Sequence, residues 1–167
     1  IYLMFTLKNF KAELIISWFL VFLWMVLIFV LSSQTAQVSN SLSKSMAEKI
    51  VKAVSKVIPL TQEVSTTQDL ISRFNNSLRK LAHAKVYLIL AVLVVNAFIK
   101  SGIKGLKVYL FALIFCMIYA SMDEIHQLFV PGRGGQVKDV LIDSLGALIG
   151  LAVHYATFSI FVQKRKL

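Results

Sequence analysis

Cysteine, proline and charged residues are scarce in this chain of 167 residues. It has one cysteine and two prolines, and only 16% of its residues are charged. A single cysteine rules out an internal disulfide, and we expect Cys116, which lies in an apolar run, to behave as a small buried hydrophobe. About a quarter of the residues of a soluble domain are charged. The low charge therefore excludes a separate soluble domain.

Hydrophobic residues make up 57% of the chain and form four long runs. Because about 20 apolar residues cross a bilayer core as a helix, we predict one all-helical membrane domain. The first run is too long for a signal-peptide core and lacks a small-residue cleavage site, so we expect a retained helix. The chain begins at Ile1 rather than Met, which leaves open whether the native N-terminus precedes it. The predicted spans are about 14–31, 78–99, 106–122 and 140–161.

A more polar segment, residues 34–77, separates the first two spans. It has no glycine and a single proline, Pro59, which is not the composition of a flexible linker. We predict an amphipathic helix before Pro59, lying in the membrane interface against anionic lipid or packed over the bundle as a solvated helix. Thr66 and Asp69 favour the start of a second helix that continues into span two. The apolar positions at helical spacing are Val38, Leu42, Met46, Ile50, Val54 and Val57.

The basic residues, which give a formal net charge of +10, indicate the orientation. Short loops rich in lysine and arginine stay in the cytoplasm. We therefore predict a multi-pass protein of the bacterial cell membrane with both termini cytoplasmic, and with segment 34–77 and the loop before span four facing outward. The deciding residues are Lys8 and Lys11, Lys100, Lys104 and Lys107, and Lys164, Arg165 and Lys166.

This orientation brings three polar groups of residues to one membrane depth. One lies at the start of span two, one at the end of span three and one at the start of span four. Ionisable groups placed there are costly, which suggests a functional site by default. The candidate site residues are Arg79, Lys80, His83, Tyr87, Tyr119, Asp123, Glu124, His126, Gln127, Arg133, Asp139 and Asp143.

Four kinds of chemistry fit this set of residues. Asp123, Glu124, His83 and His126 could act as acids and bases. The histidines with carboxylates could bind a divalent metal, although no metal-binding motif is present and we predict no cofactor. Arginine and lysine could hold a phosphate. The set could also be a buried ion-pair network that only fixes the helices.

Two stretches of the chain resemble the VanZ family. The first is Arg79-Lys80-Leu-Ala-His83, followed by Tyr87. The second runs from Asp-Glu-Ile-His-Gln, residues 123–127, to Pro-Gly-Arg, residues 131–133, and is the more specific. Asp139, Asp143, Gly146 and Gly150 extend the similarity through span four.

The resemblance implies a small multi-span membrane protein of the bacterial envelope. The founding member of that family is associated with low-level resistance to the lipoglycopeptide teicoplanin, without a change in the peptidoglycan precursor. Two positions depart from the family pattern: Val86 stands where an acidic residue is common, and Asp143 stands where asparagine is common. The first change removes an acid from the site, and the second adds one.

Three functions remain open at this point. The first is the binding or handling of a phosphate-bearing envelope lipid or lipid-linked polymer. The second is an enzyme that acts on a lipid phosphate by acid/base chemistry, and the third is a structural or partner-binding subunit. The partners expected are membrane lipids, with a homodimer as an open alternative. Nucleic acid is excluded because the lysines are scattered between apolar runs and no groove-reading motif occurs.

Overall fold

The computed structural model describes the backbone of residues 2–35 and 64–164, and the side chains of residues 11–35 and 77–159. All regular structure in these ranges is helical. The four helices are α1, Tyr2–Ser32; α2, Val64–Lys100; α3, Lys107–Gln127; and α4, Val137–Lys164.

Each helix contains a stretch long and apolar enough to cross a membrane. These stretches are Lys11–Ser32, Ser77–Lys100, Lys107–Gln127 and Val137–Ser159. The prediction of an all-helical membrane protein with four spans is confirmed. The amphipathic helix predicted before Pro59 falls almost entirely in residues 36–63, outside the described residues, and the outward placement of segment 34–77 stays a prediction.

Two helix boundaries differ from those predicted. We expected α3 to end near residue 122, but it continues to Gln127, because Asp123, Glu124 and Gln127 turn into the protein and are buried there. Beyond it the amides of residues 128–130 bond to the carbonyls three residues earlier, and Gly132 then reverses the chain at φ +77°. The helix that leads into span two begins at Val64, two residues before the predicted Thr66.

Helix α2 packs against the three other helices, most extensively against α4. Its core face carries Tyr87, Leu90 and Val94, all fully buried. These residues are three and four positions apart, so they lie on one face of the helix. The large side chains on the opposite faces of the four helices are exposed, as expected for surfaces that contact lipid tails.

Two glycines allow the close contact between α2 and α4. A Cβ atom at Gly146 would overlap the backbone of Ala84, and one at Gly150 would overlap the carbonyl of Leu88. Small residues four positions apart on one helix face allow two membrane helices to pack this closely. Since Ala84 follows His83 and Gly146 lies one turn after Asp143, this contact also fixes how close those two polar side chains approach.

The two ends of the bundle differ in their polar contacts. At one end, Lys100 Nζ lies 3.2 Å from Glu13 Oε2, and Trp18 Nε1 donates a hydrogen bond to Ser101 Oγ at 3.1 Å. Helix α2 stops there because Gly102 adopts φ +90°, and the Ile103 amide bonds back to the Phe98 carbonyl. The opposite end, formed where α1 and α3 finish and α4 begins, holds the buried acids Asp123, Glu124 and Asp143. We call it the polar end.

Candidate functional site

A cavity of about 150 Å³ opens at the polar end, between α2, the end of α3, the connecting turn and the start of α4. Since one water takes up about 30 Å³ of liquid volume, the cavity can hold a few waters or one small polyatomic group. Nine of its twelve lining residues are polar or charged, two are glycines and one is an isoleucine. The lining residues are Arg79, Lys80, His83, Glu124, Gln127, Gly132, Arg133, Gly134, Gln136, Asp139, Ile142 and Asp143.

One ion pair stands at the rim of this cavity. Lys80 Nζ lies 2.9 Å from Asp139 Oδ1, with both side chains partly exposed. The pair joins α2 to the first turn of α4, where an acidic side chain also interacts favourably with the helix dipole. Lys80 and Asp139 therefore largely neutralise each other, which leaves Arg79 and Arg133 as the other basic groups of the cavity.

Two arginines of the cavity have no carboxylate partner. Within the described residues, neither Arg79 nor Arg133 comes within 4.0 Å of a carboxylate oxygen. The Arg133 Nε atom is buried and has no hydrogen-bond partner there. Burial and the nearby positive charge of Arg79 both lower the pKa of Arg133, yet a guanidinium stays protonated in proteins. Both guanidinium groups therefore lie on the cavity wall without a direct ion pair among the described residues, and Asp123 and Glu124 act on Arg133 only at longer range.

Asp123 is held in place by two hydrogen bonds to one of its oxygens. Its Oδ2 accepts from Ser32 Oγ at 2.8 Å and from Gln127 Nε2 at 3.3 Å. Its Oδ1 is buried without a hydrogen-bond partner among the described residues. The carboxylate therefore has a fixed orientation and one free oxygen.

Asp143 and His83 face each other across the contact between α2 and α4. Asp143 is 0% exposed, and its Oδ2 lies 3.9 Å from His83 Nδ1, which is too far for a hydrogen bond. With Asp123, these residues offer three ligand atoms that all lie within 4.8 Å of one another. His83 and the two aspartates are therefore the described residues whose geometry best suits a metal ion.

Glu124 has a different role, because it holds the connecting turn. Its Oε2 accepts a hydrogen bond from the Gln136 amide at 2.8 Å. A Cβ atom at Gly135 would crowd the Glu124 carbonyl, so the turn passes tightly over the end of α3. Glu124 thus positions the segment that carries Arg133 over the cavity.

Comparison with known proteins adds one finding. A family model described as VanZ/LLP1 matches residues 17–161. The chain belongs to the VanZ/LLP1 family. The resemblance inferred from the two sequence stretches is thereby confirmed, and the matched range contains every residue that lines the cavity. A search of curated proteins and a search of solved structures each found no match.

The VanZ/LLP1 structure brings most of the sequence-predicted site residues together. Eight of them line the cavity: Arg79, Lys80, His83, Glu124, Gln127, Arg133, Asp139 and Asp143. Asp123 and Tyr87 do not line the cavity. Asp123 lies close enough to His83 and Asp143 for the three side chains to bind one metal ion, and Tyr87 is fully buried.

Two predicted residues point elsewhere. His126 Nε2 lies 3.1 Å from Ser33 Oγ, and its ring lies 4.4 Å from that of Phe29, so it joins α3 to α1 outside the cavity. The Tyr119 hydroxyl donates to the Met25 carbonyl at 2.6 Å and likewise joins α3 to α1. Tyr119, Asp123 and His126 are four and three residues apart along α3, but this spacing alone does not show which neighbouring helix each side chain contacts.

Sequence analysis missed two residues of this VanZ/LLP1 site. Ser32 is fully buried and donates a hydrogen bond to Asp123, although the sequence analysis named no candidate residue at the end of the first span. Gln136 lines the cavity and bonds to Glu124 through its backbone. A signal existed for Ser32, since it ends a span at the predicted depth of the other polar residues. A backbone contact such as that of Gln136 leaves no signal in the sequence.

Proposed function

We propose that this VanZ/LLP1 protein binds the phosphate-bearing head of an anionic envelope lipid or lipid-linked polymer in the cavity at the polar end. The observation that carries the proposal is the pair of arginines, Arg79 and Arg133, which form no ion pair within the part of the chain that the structure describes. Guanidinium groups bind phosphate oxygens through paired N–H donors. A phosphate between the two arginines would form such pairs with both.

The size and surroundings of the cavity suit a lipid head rather than a whole lipid. A volume of about 150 Å³ accommodates a headgroup phosphate but no acyl or prenyl chain. Large apolar side chains are exposed next to it: Phe129 is 81% exposed and Val137 is 79% exposed. The chains of a bound lipid would lie along these side chains while the phosphate reaches the arginines.

The proposed physiological effect depends on which side of the membrane the cavity faces. With both termini in the cytoplasm of a bacterium, the cavity faces the outer side of the membrane, where lipid carriers of wall polymers are exposed. Holding or relocating such a lipid would reduce the access of a teicoplanin-type lipoglycopeptide, whose lipid tail places it in the same leaflet. Family membership supports this envelope role.

Native mass spectrometry with co-purifying lipids tests the binding. We expect wild type to retain a phospholipid or polyprenyl phosphate, and Arg133→Ala to lose it. A charge-assisted hydrogen bond is worth about 1.5–3 kcal/mol, and 1.4 kcal/mol is tenfold in affinity, so the loss should be about tenfold or more. Lys85→Ala is the matched control, because Lys85 is an exposed basic residue of α2 outside the cavity. Equal retention by Arg133→Ala would refute the proposal.

A membrane enzyme that acts on a lipid phosphate is the second candidate. The observation favouring it is that His83 and Asp143 line the same cavity as the arginines. Asp123 or His83 would then transfer a proton, and His126 would take no part. Loss of turnover with retained lipid binding in Asp123→Asn would favour the enzyme. If the cluster instead serves only as structure or as a partner-binding surface, the same change would lower thermal stability without affecting a bound lipid.

A further inference from the structure

The two aspartates beneath the cavity bury carboxyl oxygens that have no partner among the described residues. Asp143 is 0% exposed and Asp123 is 4% exposed. Both Asp143 oxygens and Asp123 Oδ1 have no hydrogen-bond partner within residues 11–35 and 77–159. Burying a charge is costly unless it is paired or coordinates a metal, and the single basic group within 4.0 Å is His83, at 3.9 Å from Asp143.

A fully buried tyrosine is an independent observation at the same place. Tyr87 is 0% exposed, and its hydroxyl has no hydrogen-bond partner among the described residues. It lies close enough to Asp123 and Asp143 to interact with both electrostatically. Buried tyrosine hydroxyls normally have a partner, so this group too faces a site that the protein alone does not fill.

The three ligand atoms lie somewhat farther apart than the donors of a bound metal ion. Zn²⁺ binds histidine nitrogen and carboxylate oxygen at about 2.0–2.2 Å in a tetrahedral arrangement, so neighbouring donors are about 3.4 Å apart. The His83 and Asp143 donor atoms are 3.9 Å apart, and all three atoms lie within 4.8 Å of one another. A bound ion would draw these donors together by up to about 1.4 Å.

The protein also fixes the orientation of one of the ligands, Asp123, by hydrogen bonds. Ser32 and Gln127 bind one oxygen of Asp123 and leave the other free. Such supporting hydrogen bonds orient metal ligands. The glycine contact at Gly146 fixes the approach of the helices that carry His83 and Asp143.

We propose that His83, Asp123 and Asp143 bind a divalent cation at the base of the cavity, with the Tyr87 hydroxyl beside it. Two carboxylates with one imidazole suit Mn²⁺ or Zn²⁺. His83 and Asp143 both line the cavity, so the remaining coordination positions of the ion face the arginines. This proposal does not depend on the lipid, because its ligands are distinct from Arg79 and Arg133.

Equilibrium binding of Mn²⁺ to purified full-length protein, stripped with EDTA and given no lipid, tests the site. Electron paramagnetic resonance counts the free ion. We expect one Mn²⁺ per chain in wild type. Loss of a supporting residue typically weakens a metal site about 10–100-fold, so Asp143→Asn and His83→Gln, which remove ligands, should weaken binding about 100-fold or more. Glu13→Gln is the matched control, because Glu13 is a carboxylate at the opposite end of the bundle.

Thermal unfolding with and without Mn²⁺ keeps the test decisive if a variant folds poorly. An ion that binds only the folded state raises the midpoint temperature of unfolding. We expect Mn²⁺ to raise the midpoint of wild type and Glu13→Gln but not that of Asp123→Asn or Asp143→Asn. Absence of stoichiometric Mn²⁺ and Zn²⁺ binding in wild type would overturn the proposal, as would unchanged binding by Asp143→Asn. If Asp143 is instead a neutral, protonated acid, wild type should bind neither ion. Asp143→Asn should then be as stable as wild type.

The lipid and cation proposals can fail separately. Lipid retention is measured in EDTA with Arg133→Ala, and Mn²⁺ binding is measured without lipid with Asp143→Asn. Loss of lipid alone in Arg133→Ala, with Mn²⁺ binding intact, would support both assignments. Mn²⁺ binding lost in Arg133→Ala would contradict the separate cation site.

Discussion

The two histidines at the polar end have different neighbours, and this difference can be tested residue by residue. His83 lines the cavity and faces Asp143, whereas His126 meets Ser33 and Phe29. We expect His83→Gln to weaken both Mn²⁺ binding and any turnover of a lipid phosphate, while His126→Gln leaves both unchanged. Parallel assays of the two variants measure this. Equal loss in both variants would mean that His126 belongs to the site.

Ser32 is the second residue whose contribution can be isolated. Its hydroxyl donates to Asp123 at a buried position, so Ser32→Ala leaves that carboxylate with one supporting hydrogen bond fewer. Side-chain hydrogen bonds between membrane helices are worth about 0.6 kcal/mol on average, and bonds to charged groups about 1.5–3 kcal/mol. We expect the free energy of unfolding to fall by about 1–2 kcal/mol.

Ser121→Ala is the matched control for that measurement. Ser121 is exposed and its hydroxyl bonds within its own helix, to the Met117 carbonyl. Its removal should change the free energy of unfolding by less than about 0.5 kcal/mol. An equal effect of the two serine substitutions in detergent unfolding experiments would show that the contact between Ser32 and Asp123 does not stabilise the bundle.

For individual residues, the sequence predicted which side chains lie close together at the polar end, but not which atoms each side chain contacts. The arginines, His83, Asp139 and Asp143 were identified because costly side chains occurred at one predicted depth. Side-chain rotamers and the path of the connecting turn determine that Lys80 pairs with Asp139 and that Arg133 pairs with none of the described carboxylates. Those details follow from tertiary packing, which residue spacing does not encode.

At the scale of helices, the glycine contact between α2 and α4 determines how closely the site can assemble. We expect Gly146→Ala to lower the free energy of unfolding by about 1–3 kcal/mol, the usual cost of overpacking, because its Cβ would meet the Ala84 backbone rather than a flexible side chain. The higher helix propensity of alanine, about 1 kcal/mol, offsets only part of this. Mn²⁺ affinity should fall as well, since His83 and Asp143 would move apart.

Gly134→Ala provides the control for this change. A Cβ at Gly134 would have no atom within 4 Å, and its φ is not positive. Its stability should stay within about 0.5 kcal/mol of wild type. The contact between the helices would be less tight than described if Gly146→Ala were as stable as this control in thermal unfolding.

The helices themselves were largely predictable, and the error at the end of α3 has a clear cause. Apolar runs of bilayer length indicate spans directly. The run from Asp123 to Gln127 is polar, so we ended the span before it, whereas burial and hydrogen bonds within the protein keep it helical. A polar run ends a membrane helix only where its side chains bond to water instead of to the protein. The sequence does not show which of these two environments the side chains have.

For the whole molecule, the orientation in the membrane is the prediction on which the envelope role depends. Cys116 is the only cysteine and is buried, so single-cysteine labelling has little background. In a Cys116→Ala chain we expect Gly134→Cys to react with a membrane-impermeant maleimide in intact cells, and Lys104→Cys to react only after permeabilisation. The reverse pattern would place the cavity in the cytoplasm and exclude access to outer-leaflet lipids.

Selective binding of a phosphate group is the most direct test of the central claim about this cavity. We would measure the affinity of the purified protein, in EDTA, for a fluorescent polyprenyl phosphate and for the matching polyprenol. Wild type should prefer the phosphate by about tenfold or more, as a charge-assisted contact implies, and Arg79→Ala and Arg133→Ala should lose that preference while Lys85→Ala keeps it. Equal affinity of wild type for the two lipids would contradict a phosphate site between Arg79 and Arg133.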